Sequence, residues 1–597
     1  MSYRNMGRLF LTVCSVLFCV LVLGHPADAQ MFHQQNPYYS NTLHLRLLLI
    51  AVSGLLGFGL GWFCSPGAKR FRMIFVGFIS LVLIMAVFID NGPLGWSVAW
   101  FAAAVAFMVG LGYWLGWLFK NLLNSMSAPP TTFGSAKWAD FEHLQHNNML
   151  QTSGYQLGKY RVKTKDYMIT YDRDRHLLTV APNRSGKGTT TIIRNLLTYL
   201  GSILVIDPKG ENARVTAEHR HAMGQHVYIV DPWSITGFEA AHFNPIDWLV
   251  RGDVDITENA MLLADALVVP TGAEDQFWVE EAKALLQGLI LYVATEDNES
   301  GNRTLARVRD LLLLDGEDLK TLFNSMVQSA HHIVASTGAR CLQKEERLLS
   351  NVIASAQAQT HFLDSARIRE SLSYSDFKFE DLKTKPMSIY LVLPSDRLNA
   401  FGRWLRLLIQ QALTVNARNI HIQPPKPVLF MLDEMAALGR LSMLEQAYGL
   451  MAGYGIQIWG IIQDLSQLKR IYGDGWETFI SNAGVLQYFG SRDKMTAEYF
   501  SSLCGVTTVW NFTTAVARAF GTSWGHGNMS TSDSTTRTET TAAARRQLAT
   551  PDELMRMHHS KQLLLIENLD PIQGFRTPWF NDPTLQHLGR NLHKPES

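Results

Sequence analysis

Hydrophobic positions along this 597-residue chain follow two regimes that change near residue 130. Before that point, four near-continuous apolar runs cover residues 9–24, 47–64, 73–89 and 96–119. The last three match the ~20 residues a helix needs to cross a bilayer, within the usual spread. The first follows Arg4 and Arg8 and precedes Ala27-Asp28-Ala29, so it reads either as a retained helix or as a secretory signal with a small-residue cleavage site. Lys69, Arg70 and Arg72 mark the loop between the second and third runs as cytoplasmic, and residues 90–95 carry no basic residue. Lys120 follows the last run, which puts the rest of the chain in the cytoplasm. The expectation is an N-terminal transmembrane helical region of three or four helices over residues 1–122.

After a linker at 124–132, broken by Pro129-Pro130, short apolar runs alternate with helical stretches. Strands are expected at 176–180, 202–207, 226–230, 388–394, 428–433, 455–462, 485–490 and 562–566. This is the α/β pattern of a mostly parallel sheet. Between about 250 and 380 the alternation lapses, and helical periodicity takes over at 260–267, 278–294 and 342–358. The soluble chain therefore divides into 123–249 and 381–597, two parts of one nucleotide-binding α/β domain, with an inserted all-α domain at 250–380. Residues 530–541 are mostly Ser and Thr, with Asp533, Arg537 and Glu539, after a Gly-rich run at 521–527. They read as a mobile loop or flap.

Charge narrows the function. The net charge of +1 conceals an asymmetry, because residues 1–129 hold seven Lys/Arg and two Asp/Glu, leaving 46 basic against 50 acidic residues in the remainder. A slightly acidic soluble part excludes nucleic-acid coating through bulk charge, and leaves open a local basic path or an oligomeric pore. The five cysteines, Cys14, Cys19, Cys64, Cys341 and Cys504, have no C-x-x-C spacing and suggest neither a disulfide framework nor a zinc site. The pairs His331-His332 and His558-His559 lack further ligands at metal spacing and read as solvated or locally bonded.

The chemistry concentrates at strand ends. Ala181-Pro182-Asn183-Arg184-Ser185-Gly186-Lys187-Gly188-Thr189 joins the strand 176–180 to a helix expected over 187–200, where backbone N–H groups and the helix dipole can hold phosphate. Lys187 would reach the β- and γ-phosphates of ATP. Ala181 stands where the usual loop has its first glycine and Gly188 where it has a hydroxyl, so Thr189 is the nearest candidate ligand for Mg²⁺. An ordinary Gly-rich turn is the plainer reading of the loop alone. Asp433, at the end of an apolar run, can hold the water shell of Mg²⁺, and Glu434 can polarise an attacking water. Gln463 closes the next strand, which would lie beside it, and can sense the γ-phosphate. Each of these is a solvated strand end when read singly. In open α/β sheets, however, ligands sit at carboxyl ends of strands, and all three signals fall there in order. Asp207-Pro208-Lys209-Gly210-Glu211 brings a carboxylate and an ammonium near the same edge, as a tuning element or a turn.

The chain resembles the TraG-type coupling ATPases of type IV secretion and conjugation over essentially its whole length. The resemblance rests on Gly134-Ser135-Ala136-Lys137-Trp138-Ala139, the loop at 181–188, Asp207-Pro208-Lys209-Gly210-Glu211, Phe243-Asn244-Pro245-Ile246-Asp247, Leu432-Asp433-Glu434 and Thr550-Pro551-Asp552-Glu553-Leu554, in order and with family-like spacing. It implies a RecA-like P-loop NTPase motor in the bacterial inner membrane, hexameric when active. It also implies that Gly188 is the family's own variant. The partners implied are a relaxase–DNA complex or secreted effector proteins, and the components of the secretion channel, with the helical domain recognising cargo. One departure concerns the arginine that such motors take from a neighbouring subunit. Residues 444–453, where some relatives carry it, contain none, which leaves Arg440, Arg470 and Arg492 as alternatives. The loop at 476–479, with Trp476 and Phe479, faces a pore or a neighbour, or simply packs. Two other functions compete: a membrane receptor that uses nucleotide only as an assembly switch, and a chromosomal DNA translocase. The second is expected to carry an appended basic DNA-reading domain, for which residues 584–597 are too short.

Overall fold

Long buried apolar runs build the centre of the protein. In the computed structural model, residues 57, 105, 107–118, 131–269, 276–525 and 528–592 are described, with the backbone alone over 510–541. Thirteen strands occur among them: β1 (Tyr155–Val162), β2 (Lys165–Tyr171), β3 (His176–Val180), β4 (Ile203–Asp207), β5 (His226–Val230), β6 (Met387–Val392), β7 (Val428–Leu432), β8 (Ile456–Ile462), β9 (Ala483–Tyr488), β10 (Val506–Gly525), β11 (Asn528–Gln547), β12 (Lys561–Ile566) and β13 (Ile572–Phe575). Eleven form one mixed sheet in the order β2-β1-β13-β12-β9-β3-β8-β7-β4-β6-β5, and β10 and β11 pair separately.

From β9 to β5 the neighbours run parallel, and from β2 to β9 they run antiparallel. Every residue of β3, β4, β6, β7 and β8 is buried. A parallel strand covered on both faces needs such a continuous apolar run. Alternate side chains feed two separate cores. Leu178, Leu204, Phe430 and Ile458 join one, with Leu286, Trp404 and Leu408 from helices. Leu177, Val205, Met431 and Trp459 join the other, with Ile192 and Leu196.

After β3 the chain makes a π-helical turn, Gly188–Ile192, and continues as α1 (Ile193–Thr198). The single α-helix expected over 187–200 is thus replaced at its start by a wider turn. Helix α2 (Glu211–Ala222) follows β4. Between β5 and β6 the described chain is helical: α3 (Ile256–Leu267), α4 (Gln276–Thr295), α5 (Leu305–Leu312), α6 (Gly316–Val327), α7 (His332–Gln343), α8 (Glu346–Thr360) and α9 (Ala366–Ser371). Helix α10 (Leu398–Arg418) then buries Trp404, Leu405, Leu408 and Leu413.

One expectation is corrected. Residues 530–541 lie within strand β11, paired with β10, and are not a loop. Threonine-rich sequence suits a strand as well as a linker, since β-branching restricts χ1 in a way that favours extended backbone. The stretch at 476–479 is helical with its aromatics inside: Trp476 is 7% and Phe479 0% exposed, with Phe479 against Tyr448 and Tyr472 and Trp476 against Tyr499.

The foot of the β10–β11 ribbon is fastened. Leu548 N–H donates to Gly505 O, Ala136 N–H to Val506 O, and Phe133 N–H to Thr508 Oγ1. Apart from Gly57, the first three apolar runs of the N-terminal region lie outside the described residues. Of the fourth, residues 107–118 are helical. Among the described residues, no helix is long and apolar enough to cross a membrane.

Candidate nucleotide site

The register of four parallel strands assembles the site. Val180 of β3 pairs with Ile462 of β8, Gly460 of β8 with Leu432 of β7, and Leu432 with Ile206 of β4. The residues just beyond these ends are Ala181, Gln463 and Asp433, and β4 ends at Asp207 itself. Strand β8 lies between β3 and β7, so the Gln463 strand is next to the Asp433 strand, as its sequence position implied.

The loop is held open by backbone geometry. Arg184 and Gly186 both have positive φ, 59° and 86°, around Ser185. Such a non-glycine residue costs on the order of 1 kcal/mol or more and persists only where surrounding contacts enforce it. Those contacts include Ala181 N–H to Ile462 O at 2.8 Å, Ser185 N–H to Pro182 O at 3.1 Å and Thr190 N–H to Gly186 O at 2.9 Å. Ala181 is buried, Asn183 and Arg184 are exposed, and Pro182 and 185–189 are half-buried.

Lys187 meets both acidic residues. Its Nζ lies 2.7 Å from Asp433 Oδ1 and 3.6 Å from Glu434 Oε2. Gln463 Nε2 donates to Glu434 Oε1 at 2.8 Å, and Asn183 Nδ2 donates to Gln463 Oε1 at 3.4 Å. Gln463 therefore bridges the loop and Glu434. Glu434 sits in the left-handed region, φ 66° and ψ 49°, a strained conformation typical of residues whose side chain must be aimed.

Asp207 is 1% exposed and accepts from the N–H of Ala213 at 2.9 Å and of Lys209 at 3.4 Å. Burial pushes its carboxyl up to about 7, with the Asp433 charge adding to the rise and the two N–H donors opposing it. The motif at 207–211 is thus part of the same edge as well as a turn.

The residues fit a hard divalent cation. Asp433 Oδ1 is buried, and the Lys187 ammonium faces it at 2.7 Å. Such an oxygen suits Mg²⁺, which keeps several waters and takes one or two carboxylates. Thr189 Oγ1 donates to Gly186 O at 3.2 Å, which leaves its lone pairs free, and Thr190 Oγ1 donates to the same carbonyl at 2.8 Å. A Cβ on Gly188 would meet nothing within 4 Å, so the space beside Lys187 is open.

The sequence reading missed the support from the C-terminal segment. Asp582 accepts from Arg194 of α1 at 2.9 Å and pairs with Lys159 of β1 at 3.1 Å, while Trp579 and Leu585 pack on Ile193 and Leu197. Arg576 donates to Ser185 O at 2.6 Å. Nothing local in the sequence around 576–585 signals this, because the contacts span nearly 400 positions. Arg440, Arg470 and Arg492 are all exposed.

A phosphate loop after a buried parallel strand, with its lysine against an Asp-Glu pair on a nearby strand, defines a P-loop NTPase. The sequence model for type IV secretory system conjugative DNA transfer matches residues 137–595, and the chain belongs to that family. It is 28% identical to the conjugal transfer protein TraG of Escherichia coli over 515 residues, 78% of this chain and 79% of that one. It is also 28% identical to the protein VirD4 of Rhizobium radiobacter, over 82% of this chain and 70% of VirD4. Its fold is shared by the plasmid coupling protein TrwB in complex with the non-hydrolysable ATP analogue ADPNP, at a TM-score of 0.55 and 16% identity over 77% of this chain and 98% of TrwB.

Proposed function

We propose that the protein is the coupling ATPase of a type IV secretion system, a RecA-like motor that links relaxase-bound DNA or protein substrates to the secretion channel by ATP hydrolysis. The observation that carries this reading is the convergence of Lys187, Asp433, Glu434 and Gln463 at one sheet edge. The N–H groups of the loop 181–189 cradle the phosphates, and Lys187 exchanges its carboxylate partners for phosphate oxygens. Asp433 and Thr189 would hold Mg²⁺, which when bound would offset phosphate charge. Glu434 takes a proton from the attacking water, and Gln463 keeps Glu434 aimed.

The helices α3 to α9 are the cargo-reading part in this proposal. Val254, Met261 and Phe277 are exposed apolar residues in that region, as an interaction surface requires. Phe107, Trp114, Trp117 and Leu118 are exposed on the helix at 107–118, which suits an apolar surrounding and supports a multi-pass anchor in the inner membrane with residues after 120 in the cytoplasm. The active form is proposed to be a homo-hexamer.

The test is ATP turnover by the detergent-solubilised chain, alongside substrate transfer in cells. Lys187→Ala removes nucleotide binding, whereas Glu434→Gln binds ATP and hydrolyses it at least 100-fold more slowly. Both variants abolish transfer. Wild-type transfer by both would remove the motor, and transfer by Glu434→Gln alone would favour a nucleotide-switched receptor.

A further inference from the structure

Arg576, just beyond β13, is 7% exposed and spends its guanidinium on main-chain carbonyls. Its Nη1 donates to Ser185 O at 2.6 Å, its Nε to Lys561 O at 3.0 Å and its Nη2 to His559 O. The guanidinium carbon lies 4.0 Å from the centre of the Phe489 ring, and Phe489 N–H is bonded to Val180 O, the last residue of β3. Burial alone pushes this group down to about 10, with no acid contributing. A guanidinium buried without a carboxylate is expensive unless its donors find acceptors, and here three different backbone oxygens take three of its five N–H groups.

One of those oxygens belongs to the phosphate loop. The peptide joining Ser185 to Gly186 is planar and trans, so its C=O and N–H point in opposite directions. Fixing Ser185 O on Arg576 fixes the Gly186 N–H at the opposite edge of that plane. The neighbouring residues, Arg184 and Gly186, are both left-handed, the alternation that turns successive N–H groups into an anion-holding concavity. Arg184 holds this conformation against its intrinsic preference.

We infer that Arg576 is a positioning residue for nucleotide phosphate, which sets the Ser185–Gly186 peptide so that its N–H faces the phosphates and ties the loop to the turn at 558–561. The inference deepens the nucleotide-binding reading of Lys187 and rests on it. Arg576 does not touch nucleotide itself. Its effect falls on the diphosphate moiety, not on the base, and it links the loop to the turn that follows the Thr550–Glu553 capping box.

The test uses the full-length chain in detergent, with ADP and inorganic pyrophosphate as titrants, below the melting temperature of each variant. Arg576→Gln raises Kd for both at least tenfold, and Arg576→Lys, which keeps the cation without the planar fork, recovers part of the loss. The KM for ATP rises more than kcat falls. A folded Arg576→Gln that binds ADP and pyrophosphate as the parent does overturns the inference. Should that variant fail to fold, Arg576→Lys decides: at least threefold weaker ADP binding supports the inference, and parental affinity overturns it. If the parent binds neither titrant better than Lys187→Ala, the nucleotide reading falls and the inference with it. Parental binding with an unaffected Arg576 series sinks the inference alone.

Discussion

Lys187 Nζ is 2.7 Å from Asp433 Oδ1, so the ammonium proposed to receive phosphate and the carboxylate proposed to receive Mg²⁺ are each other's partners. Phosphate and Asp433 compete for one cation. Asp433→Asn weakens that competition, and ADP binding in EDTA is expected to tighten roughly tenfold, the weight of a charge-assisted hydrogen bond of about 1.5 kcal/mol. In Mg²⁺ the same variant loses hydrolysis. Calorimetric titrations with and without EDTA read both effects, and equal weakening in the two buffers would contradict the competition.

The hydroxyl next to the loop lysine is displaced by one position, from 188 to 189. Thr189→Ala is expected to raise the Mg²⁺ concentration for half-maximal turnover a few-fold, less than Asp433→Ala does, while Thr189→Ser leaves it unchanged. Gly188→Ser lowers it, since a side chain at 188 enters open space. Manganese binding followed by electron paramagnetic resonance checks all four variants independently of turnover.

Asp207 makes stability depend on pH. Its folded-state value of about 7 lies above the ~3.9 of an unfolded aspartate. Between these values the folded protein retains a proton that the unfolded chain has released. Stability therefore falls as pH rises from about 4 to about 7 and levels off above that. Asp207→Asn removes this slope, so its melting temperature gains on the parent between pH 5 and pH 8. Parallel melting curves across that range would show that Asp207 titrates normally.

Arg220 is fully buried and donates to the carbonyls of Leu196, Tyr199 and Gly201, to Gln225 Oε1 and to Ser388 Oγ. Burial pushes its guanidinium down to about 10. Arg220→Met leaves several of these acceptors unpaired and is expected to destabilise by about 3 kcal/mol or more, since each orphaned buried group costs about 1–3 kcal/mol. Arg220→Lys restores part of this. Denaturant titration of the solubilised chain gives the difference, and a loss within ±0.5 kcal/mol would mean that water replaces the guanidinium.

The strands that carry the chemistry were legible because their burial is two-sided. β3, β4, β7 and β8 are buried at every position and mostly apolar, with Asp207 at the end of β4, Asp433 and Gln463 just beyond β7 and β8, and the loop of Lys187 after β3. The antiparallel half was less so. β1 mixes buried Tyr155 and Leu157 with half-exposed Lys159 and Tyr160, and β13 has only four residues, so neither gives a run long enough to stand out. β10 and β11 were hidden for another reason: Ser and Thr suit both linkers and strands, and only pairing distinguishes them. The position of Gln463 after β8, next to β7, is readable from the strand pattern, but its bond to Glu434 depends on how Glu434 turns at φ 66°, which no local pattern encodes.

Gly505 and Leu548 stand one hydrogen bond apart, although two twenty-residue strands intervene between them. The path of the chain through the large sheet is the same whether it takes that detour or not. A module attached in this way can lengthen, shorten or change its sequence without renegotiating the register of β9 or β12, so the ribbon is free to diversify while the edge that carries the candidate site stays fixed.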